Sequence, residues 1–210
     1  MVRISSKSQL AIVLSRLEGF YKPKVRQEQY LIDSEIGASV LWNASLLGDI
    51  EGKVIADLGC GTGVLGIGAL LLRANSVFFV DSDKKALETA KNNVLKVKSE
   101  GYSLGKTKFI CQDISKLKIK ADVVLQNPPF GTKMKHNDIF FLEKALETSP
   151  VVYSFHKSET KAFLQRFSAK NNAETTHIWD FKFPLKATFE FHRRQIHRIN
   201  VSCFRFQKEG

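Results

Sequence analysis

Cysteine is scarce in this chain, and Cys60, Cys111 and Cys203 form no short-spaced pair. An odd count without paired spacing excludes a disulfide framework and a zinc knuckle, and it fits a reducing cytoplasm. A long apolar run is also missing. The longest, GVLGIGALLL, spans ten residues and contains three glycines; a membrane span needs about 20 apolar residues. The N-terminus has no signal-peptide apolar core, so a soluble, cytoplasmic protein with no membrane partner is expected. Acidic residues are few: 21 Asp and Glu face 32 Lys and Arg, leaving a net charge of +11. That balance favours polyanionic partners such as nucleic acid without specifying one. Repeats and low-complexity tracts are absent. With 210 residues and 43% hydrophobic content, one sizeable core and a single domain over 1–210 are expected.

Helical and strand patterns alternate along the chain. Leu10, Val13, Leu14 and Leu17 share a helical face that ends at Gly19, which makes residues 1–33 a helical appendage and cofactor-covering segment. A second helix carries Ile36, Val40, Leu41, Ala44 and Leu47, with Ser34 as its expected cap. KVIADLG, SVFFVD, TKFICQD, ADVVLQN and PVVYSF read as strands, separated by helices from Val64 to Arg73, over 82–97 and over 137–148, with another after the fifth strand. Continuous apolar strands between helices predict an α/β, doubly wound, mostly parallel seven-stranded sheet covered on both faces. The last two runs, TTHIWDFKFPL and HRINVSCFRFQ, break the alternation and read as an antiparallel C-terminal hairpin at the sheet edge.

In ADLGCGTGVLG, Gly59, Gly61 and Gly63 alternate directly after the first strand, where missing side chains allow a tight turn and close approach of a ligand. Gly61, Gly63 and Gly66 also satisfy the dinucleotide fingerprint, so the glycines alone do not separate a nicotinamide dinucleotide from S-adenosylmethionine. Asp81, ending the second strand, suits two ribose hydroxyls, which either ligand offers. Asp57 favours the methyl donor, because a carboxylate there suits an aminoacid-sulfonium end better than a pyrophosphate. Asp113, ending the third strand, is placed to accept from an adenine amine or to cap a turn.

The fourth strand stops abruptly at QNPPF. An exocyclic aromatic amine is a poor nucleophile because its lone pair is delocalised into the ring. The Asn127 side-chain oxygen and the Pro128 carbonyl would hold its N–H groups and aim the lone pair at the methyl carbon. Prolines supply acceptors without competing donors, and Pro129 stiffens the turn. Phe130 can stack on the base face, a contact worth about 1–3 kcal/mol. Catalysis is then mainly positioning for in-line transfer, with no metal required.

DLGCGTGVLGIGA with NPPFGTK resembles the seven-stranded S-adenosylmethionine-dependent methyltransferases that act on exocyclic amino groups. EGFYKPKVRQEQY, DLGCGTGVL, NPPFGTK and YSFHKS, in this order, are similar to the archaeal and eukaryotic family that makes N6-methyladenosine in small-subunit ribosomal RNA, the methyltransferase-like protein five family. The resemblance implies a class I, Rossmann-like methyltransferase fold. It also implies cofactor contacts at Gln29, Gly59, Thr62 and Val64, a ribose contact at Asp81 and adenine contacts at Asp113 and Ile114. Ile32 stands where the family has a contacting threonine. The active motif maps onto Asn127, Pro128, Pro129 and Phe130 without substitution. Eukaryotic members work with a small zinc-binding activator that adds a strand to the sheet edge, and residues 106–112, with Phe109 and Ile110, are the corresponding edge here.

For the RNA, Lys133, Lys135 and His136 follow the motif, where they would close over a flipped-out adenosine. Arg193, Arg194 and Arg198 form a backbone-binding patch, and His156 and Lys157, ending the fifth strand, are assigned to the substrate pocket. The expected activity is S-adenosylmethionine-dependent N6-methylation of adenosine in small-subunit rRNA. A guanine-N2 RNA methylase, a DNA adenine or protein glutamine methylase, and a non-enzymatic RNA-binding module stay open as alternatives.

Overall fold

The computed structural model describes residues 2–20, 31–129, 137–185 and 197–208. In chain order the elements are α1 (Lys7–Ser15), α2 (Ser34–Leu46), β1 (Val54–Leu58), α3 (Val64–Leu71), β2 (Ser76–Asp81), α4 (Lys84–Ser99), β3 (Lys106–Cys111), β4 (Val123–Gln126), α5 (Asn137–Thr148), β5 (Val151–Lys157), α6 (Lys161–Lys170), β6 (Ala173–Leu185) and β7 (His197–Lys208). The strands form one seven-stranded sheet in the order β3-β2-β1-β4-β5-β7-β6. β1 to β5 pair in parallel, and β7 enters antiparallel between β5 and β6. This is the doubly wound sheet with an antiparallel hairpin that the strand patterns predict.

The apolar strands bury both faces. One layer packs α1 to α4 against the sheet through Leu10, Leu41, Ile67, Phe79 and Val94, and the other packs α5 and α6 through Leu142, Leu146, Leu164, Val124 and Phe204. Every residue of α3 is buried, so its leucines each contribute about 1.5–3 kcal/mol of burial. Two helix ends differ from expectation. Asp33, not Ser34, caps α2, its carboxylate accepting from the Glu35 and Ile36 N–H groups at 3.0 and 3.2 Å. The helix begun at Val64 stops at Leu71, because Arg73 turns into a left-handed conformation with φ of 74°.

A buried polar knot fastens the C-terminal hairpin to the turn after α2. Tyr153 Oη donates to Asp49 Oδ2 at 2.6 Å and Arg205 Nε donates to the same oxygen at 2.8 Å. Trp179 stacks on Tyr153 with centroids 6.0 Å apart, which makes it a packing residue.

The strand order also positions the site. β1 and β4 are neighbours, yet β2 leaves β1 on one side and β5 leaves β4 on the other. The crevice at their C-terminal ends is the topological switch point, where open α/β sheets bind ligands. The hairpin reaches past this rim: β5 ends in register with Val201, while residues 197–200 of β7 continue with β6 alone. At about 3.3 Å per residue the arm projects about 13 Å beyond β5. Among the described residues no helix is long and apolar enough to cross a membrane.

Candidate active site

Four strand ends converge on the crevice. After β1 the chain turns through Gly59 to Gly63 into α3, whose N-cap is Gly63 at φ of 87° with no capping side chain. Only glycine adopts this conformation cheaply, and with no side chain from Gly63 to cap them the Val64 and Leu65 N–H groups stay available to a ligand. Gly61 has a second requirement: a Cβ there would lie 2.7 Å from the Phe20 ring. The N-terminal segment therefore covers the glycine loop directly.

Two carboxylates shape the loop. Asp57 is 1% exposed, and its Oδ2 accepts from the Gly66 N–H at 2.8 Å. Burial pushes its carboxyl up to about 7, the Asp81 charge adding to the rise and the Gly66 hydrogen bond opposing it. Asp81 accepts from the Gly61 N–H through Oδ2 and the Asp83 N–H through Oδ1, both at 2.8 Å. Burial also raises its carboxyl, against those backbone bonds. Cys60 is buried and its thiol is held well above its ordinary value by burial, which suits a small filler rather than a nucleophile.

The cleft above the loop is lined by Asp57, Thr62, Val64 and Asn127 together with Phe20 and Ile32. Two buried polar atoms facing this region, Thr62 Oγ1 and Asn127 Oδ1, have no hydrogen-bond partner among the described residues. Each such atom costs about 1–3 kcal/mol if left unpaired. Their presence in one cleft marks a site shaped for a polar ligand.

Other predicted residues lie around this centre. Pro128 is buried and Pro129 half-buried after the end of β4. Asp113 is exposed at the end of β3 and caps a short 3-10 turn, accepting from the Ser115 N–H at 2.8 Å. The Ser115 side chain, together with that backbone hydrogen bond, holds its carboxyl below the ordinary value. Ile114 packs into the core layer beneath. Lys157 is part-exposed at the rim, with Nζ 3.8 Å from Glu159 Oε1. His156 requires a correction: it is 1% exposed, enclosed by Ser154 and Phe204, and has no face open to an RNA. Gln29, Phe130, Lys133, Lys135, His136, Arg193 and Arg194 lie outside the described residues, as does the side chain of Arg198, whose backbone pairs with Pro184.

Asn93 was not predicted. It is fully buried on α4, and its Nδ2 donates to the Glu18 and Thr62 carbonyls, each at 3.0 Å. Its Oδ1 accepts from the Glu18 N–H at 2.8 Å. The amide thus clamps the N-terminal segment to the glycine loop. The available signal was a polar residue on the apolar stripe of α4, between Ala90 and Val97.

A parallel sheet with a glycine loop after its first strand, an acid ending its second and an Asn-Pro-Pro turn ending its fourth defines a class I methyltransferase. The methyltransferase small domain model matches residues 33–151. The chain is 34% identical to rRNA N(6)-adenosine-methyltransferase Mettl5 of Drosophila melanogaster, over 92% of this chain and 92% of that protein. It is likewise 34% identical to METTL5 of Danio rerio, over 94% and 97%. The crystal structure of PH1948 from Pyrococcus horikoshii, a candidate RNA methyltransferase, superposes with a TM-score of 0.88 at 44% identity, covering 98% of both chains. The protein is a methyltransferase and belongs to the rRNA N6-adenosine-methyltransferase family.

Proposed function

We propose that the protein transfers a methyl group from S-adenosylmethionine to N6 of an adenosine in small-subunit ribosomal RNA. The observation that carries this reading is the buried, unpartnered Asn127 Oδ1 in the same cleft as the glycine loop and Asp57. An acceptor without a donor, beside a cofactor-shaped loop, suits an incoming amine.

The residues present fit the cofactor. Asp57 would sit near its cationic end, Thr62 and the uncapped start of α3 would meet its polar groups, and Asp81 would hold the ribose. Asp113 and Ile114 would border the adenine, with Gln29 reaching from the covering segment. When bound, S-adenosylmethionine supplies an electrophilic methyl carbon on a sulfonium leaving group. In this reading Asn127 and the Pro128 carbonyl hold the adenosine amine by its N–H groups and Phe130 supplies a stacking ring for the base. We assign neutralisation of the RNA phosphates to Arg193, Arg194 and Arg198, and a contribution of positive charge to substrate binding to Lys133, Lys135 and Lys157.

At the opposite edge, β3 pairs with β2 alone among the described strands. Phe109 stacks on Phe79 at 4.9 Å and braces this edge, which suits strand addition by a small zinc-binding activator protein. Three free cysteines suit a cytoplasmic setting.

The test is incubation with labelled cofactor and small-subunit rRNA, followed by nucleoside analysis. N6-methyladenosine is expected, and N2-methylguanosine or no labelled nucleoside would overturn the reading. Asn127→Ala should abolish transfer while leaving affinity for S-adenosylhomocysteine nearly unchanged. Equal loss of both would mean that the residue shapes the fold instead.

A further inference from the structure

Behind the Asn-Pro-Pro turn, between the sheet and α5, lies a buried polar chain that cofactor binding does not use. Gln126, the last residue of β4, is in register with Ser154 on β5, and its Nε2 donates to Ser154 Oγ at 2.9 Å. Ser154 Oγ lies 2.6 Å from His156 Nε2. His156 Nδ1 then faces Asp138 Oδ2, in the first turn of α5, at 3.6 Å, a charge–dipole approach beyond hydrogen-bond distance, and has no hydrogen-bond partner among the described residues. Gln126 and Ser154 are fully buried and His156 is 1% exposed.

Donor counting sets the direction of the chain. Ser154 accepts from Gln126, so its single proton goes to His156 Nε2. The imidazole is then the neutral tautomer with its proton on Nδ1, aimed at the Asp138 carboxylate. Burial holds the imidazole below its ordinary value, against the pull of Asp138, in keeping with a neutral ring. The order Ser, His, Asp matches that of a hydrolase triad. No acyl group can reach Ser154, whose hydroxyl is engaged on both sides and has no exposed surface.

The chain connects positions on either side of the active motif. Gln126 precedes Asn127, and Asp138 lies where α5 begins. Fixing the Gln126 side chain fixes the peptide leading into Asn127. We propose that Ser154 and His156 are positioning residues for methyl transfer, holding the Asn127 amide at the angle the substrate amine requires, with the Asp138 carboxylate facing the ring from the start of α5. This deepens the proposed function and rests on Asn127 being the amine acceptor. It also accounts for a polar string placed in an otherwise apolar layer, where a hydrophobic substitute would pack as well.

The test uses Ser154→Ala, His156→Phe, His156→Gln and, as a stability control on the same face of β5, Val152→Ala, all assayed below their melting temperatures. A misplacement of about 1 Å at a reacting group costs up to about a hundredfold in rate. Accordingly kcat should fall about tenfold or more in Ser154→Ala and His156→Phe, with KM for RNA and affinity for S-adenosylhomocysteine within about twofold of wild type. His156→Gln keeps an acceptor for the Ser154 hydroxyl and should recover much of the rate. Val152→Ala should lose melting temperature but not kcat. If Ser154→Ala does not accumulate, Asp138→Asn at the half-buried end of the chain should show the same selective loss of kcat. Wild-type turnover in His156→Phe, or a rate that tracks melting temperature across all variants, refutes the positioning role. Wild-type protein that methylates no adenosine overturns the N6 reading itself, and the inference with it.

Discussion

Asn93→Ala should separate the N-terminal segment from the cofactor loop. The substitution removes three hydrogen bonds, of 2.8, 3.0 and 3.0 Å, from a side chain with no exposed surface. It leaves the Glu18 N–H and the Glu18 and Thr62 carbonyls without their partner. At about 0.5–1.5 kcal/mol per net hydrogen bond the three bonds of the clamp supply about 1.5–4.5 kcal/mol. That energy holds residues 17–20, and with them the Phe20 ring over Gly61. Other anchors remain, chiefly Lys96 Nζ on the Arg16 carbonyl at 2.7 Å and the packing of Leu17, so the sheet should stay folded while the segment detaches. Observed affinity scales with the fraction of protein in the binding-competent state. S-adenosylhomocysteine should therefore bind about tenfold or more weakly by calorimetry, with hydrogen exchange at the Glu18 amide accelerated. Wild-type affinity together with unchanged protection at Glu18 would refute the reasoning.

Two further outcomes follow from the buried charges. Asp57 titrates near 7 in the free protein, and a cationic ligand requires its ionised form. Affinity for S-adenosylmethionine should be full above that pH and fall as pH drops through it, by up to about tenfold per unit. Calorimetry between pH 8 and 6 reads the slope, which Asp57→Asn should flatten; an unchanged slope in the variant would place the titrating group elsewhere. Arg205→Met leaves the Asp49 carboxylate buried without its cation, a loss of about 3–5 kcal/mol. Thermal unfolding should show a fall of about 10 °C or more, and a shift of only a degree or two would mean that the knot contributes little.

Much of the architecture was legible in the residues, because strand and helix are set by short-range periodicity and glycine, proline and carboxylate positions mark strand ends. β2 and α5 begin and end where SVFFVD and NDIFFLEKALET do, and the glycine loop, Asp57 and Asn127 meet in one cleft as their places in the strand order imply. Boundaries were less legible where local chemistry offered two answers: Asp33 and Ser34 are both good caps, and only the backbone angle at the helix start chooses between them. His156 shows the same limit for function. A histidine at a strand end faces the crevice or the helix layer depending on parity and on what α5 brings across, and here it is enclosed.

The chain by itself determined the fold class and the class of chemistry, since a glycine loop, an acid and an Asn-Pro-Pro stop at successive strand ends have few other uses. Only the tertiary structure decided how those parts are held. Asn93 reaches Glu18 across 75 positions and Gln126 reaches Ser154 across 28. Such hydrogen bonds depend on two elements packing in one register, and no local pattern encodes the partner.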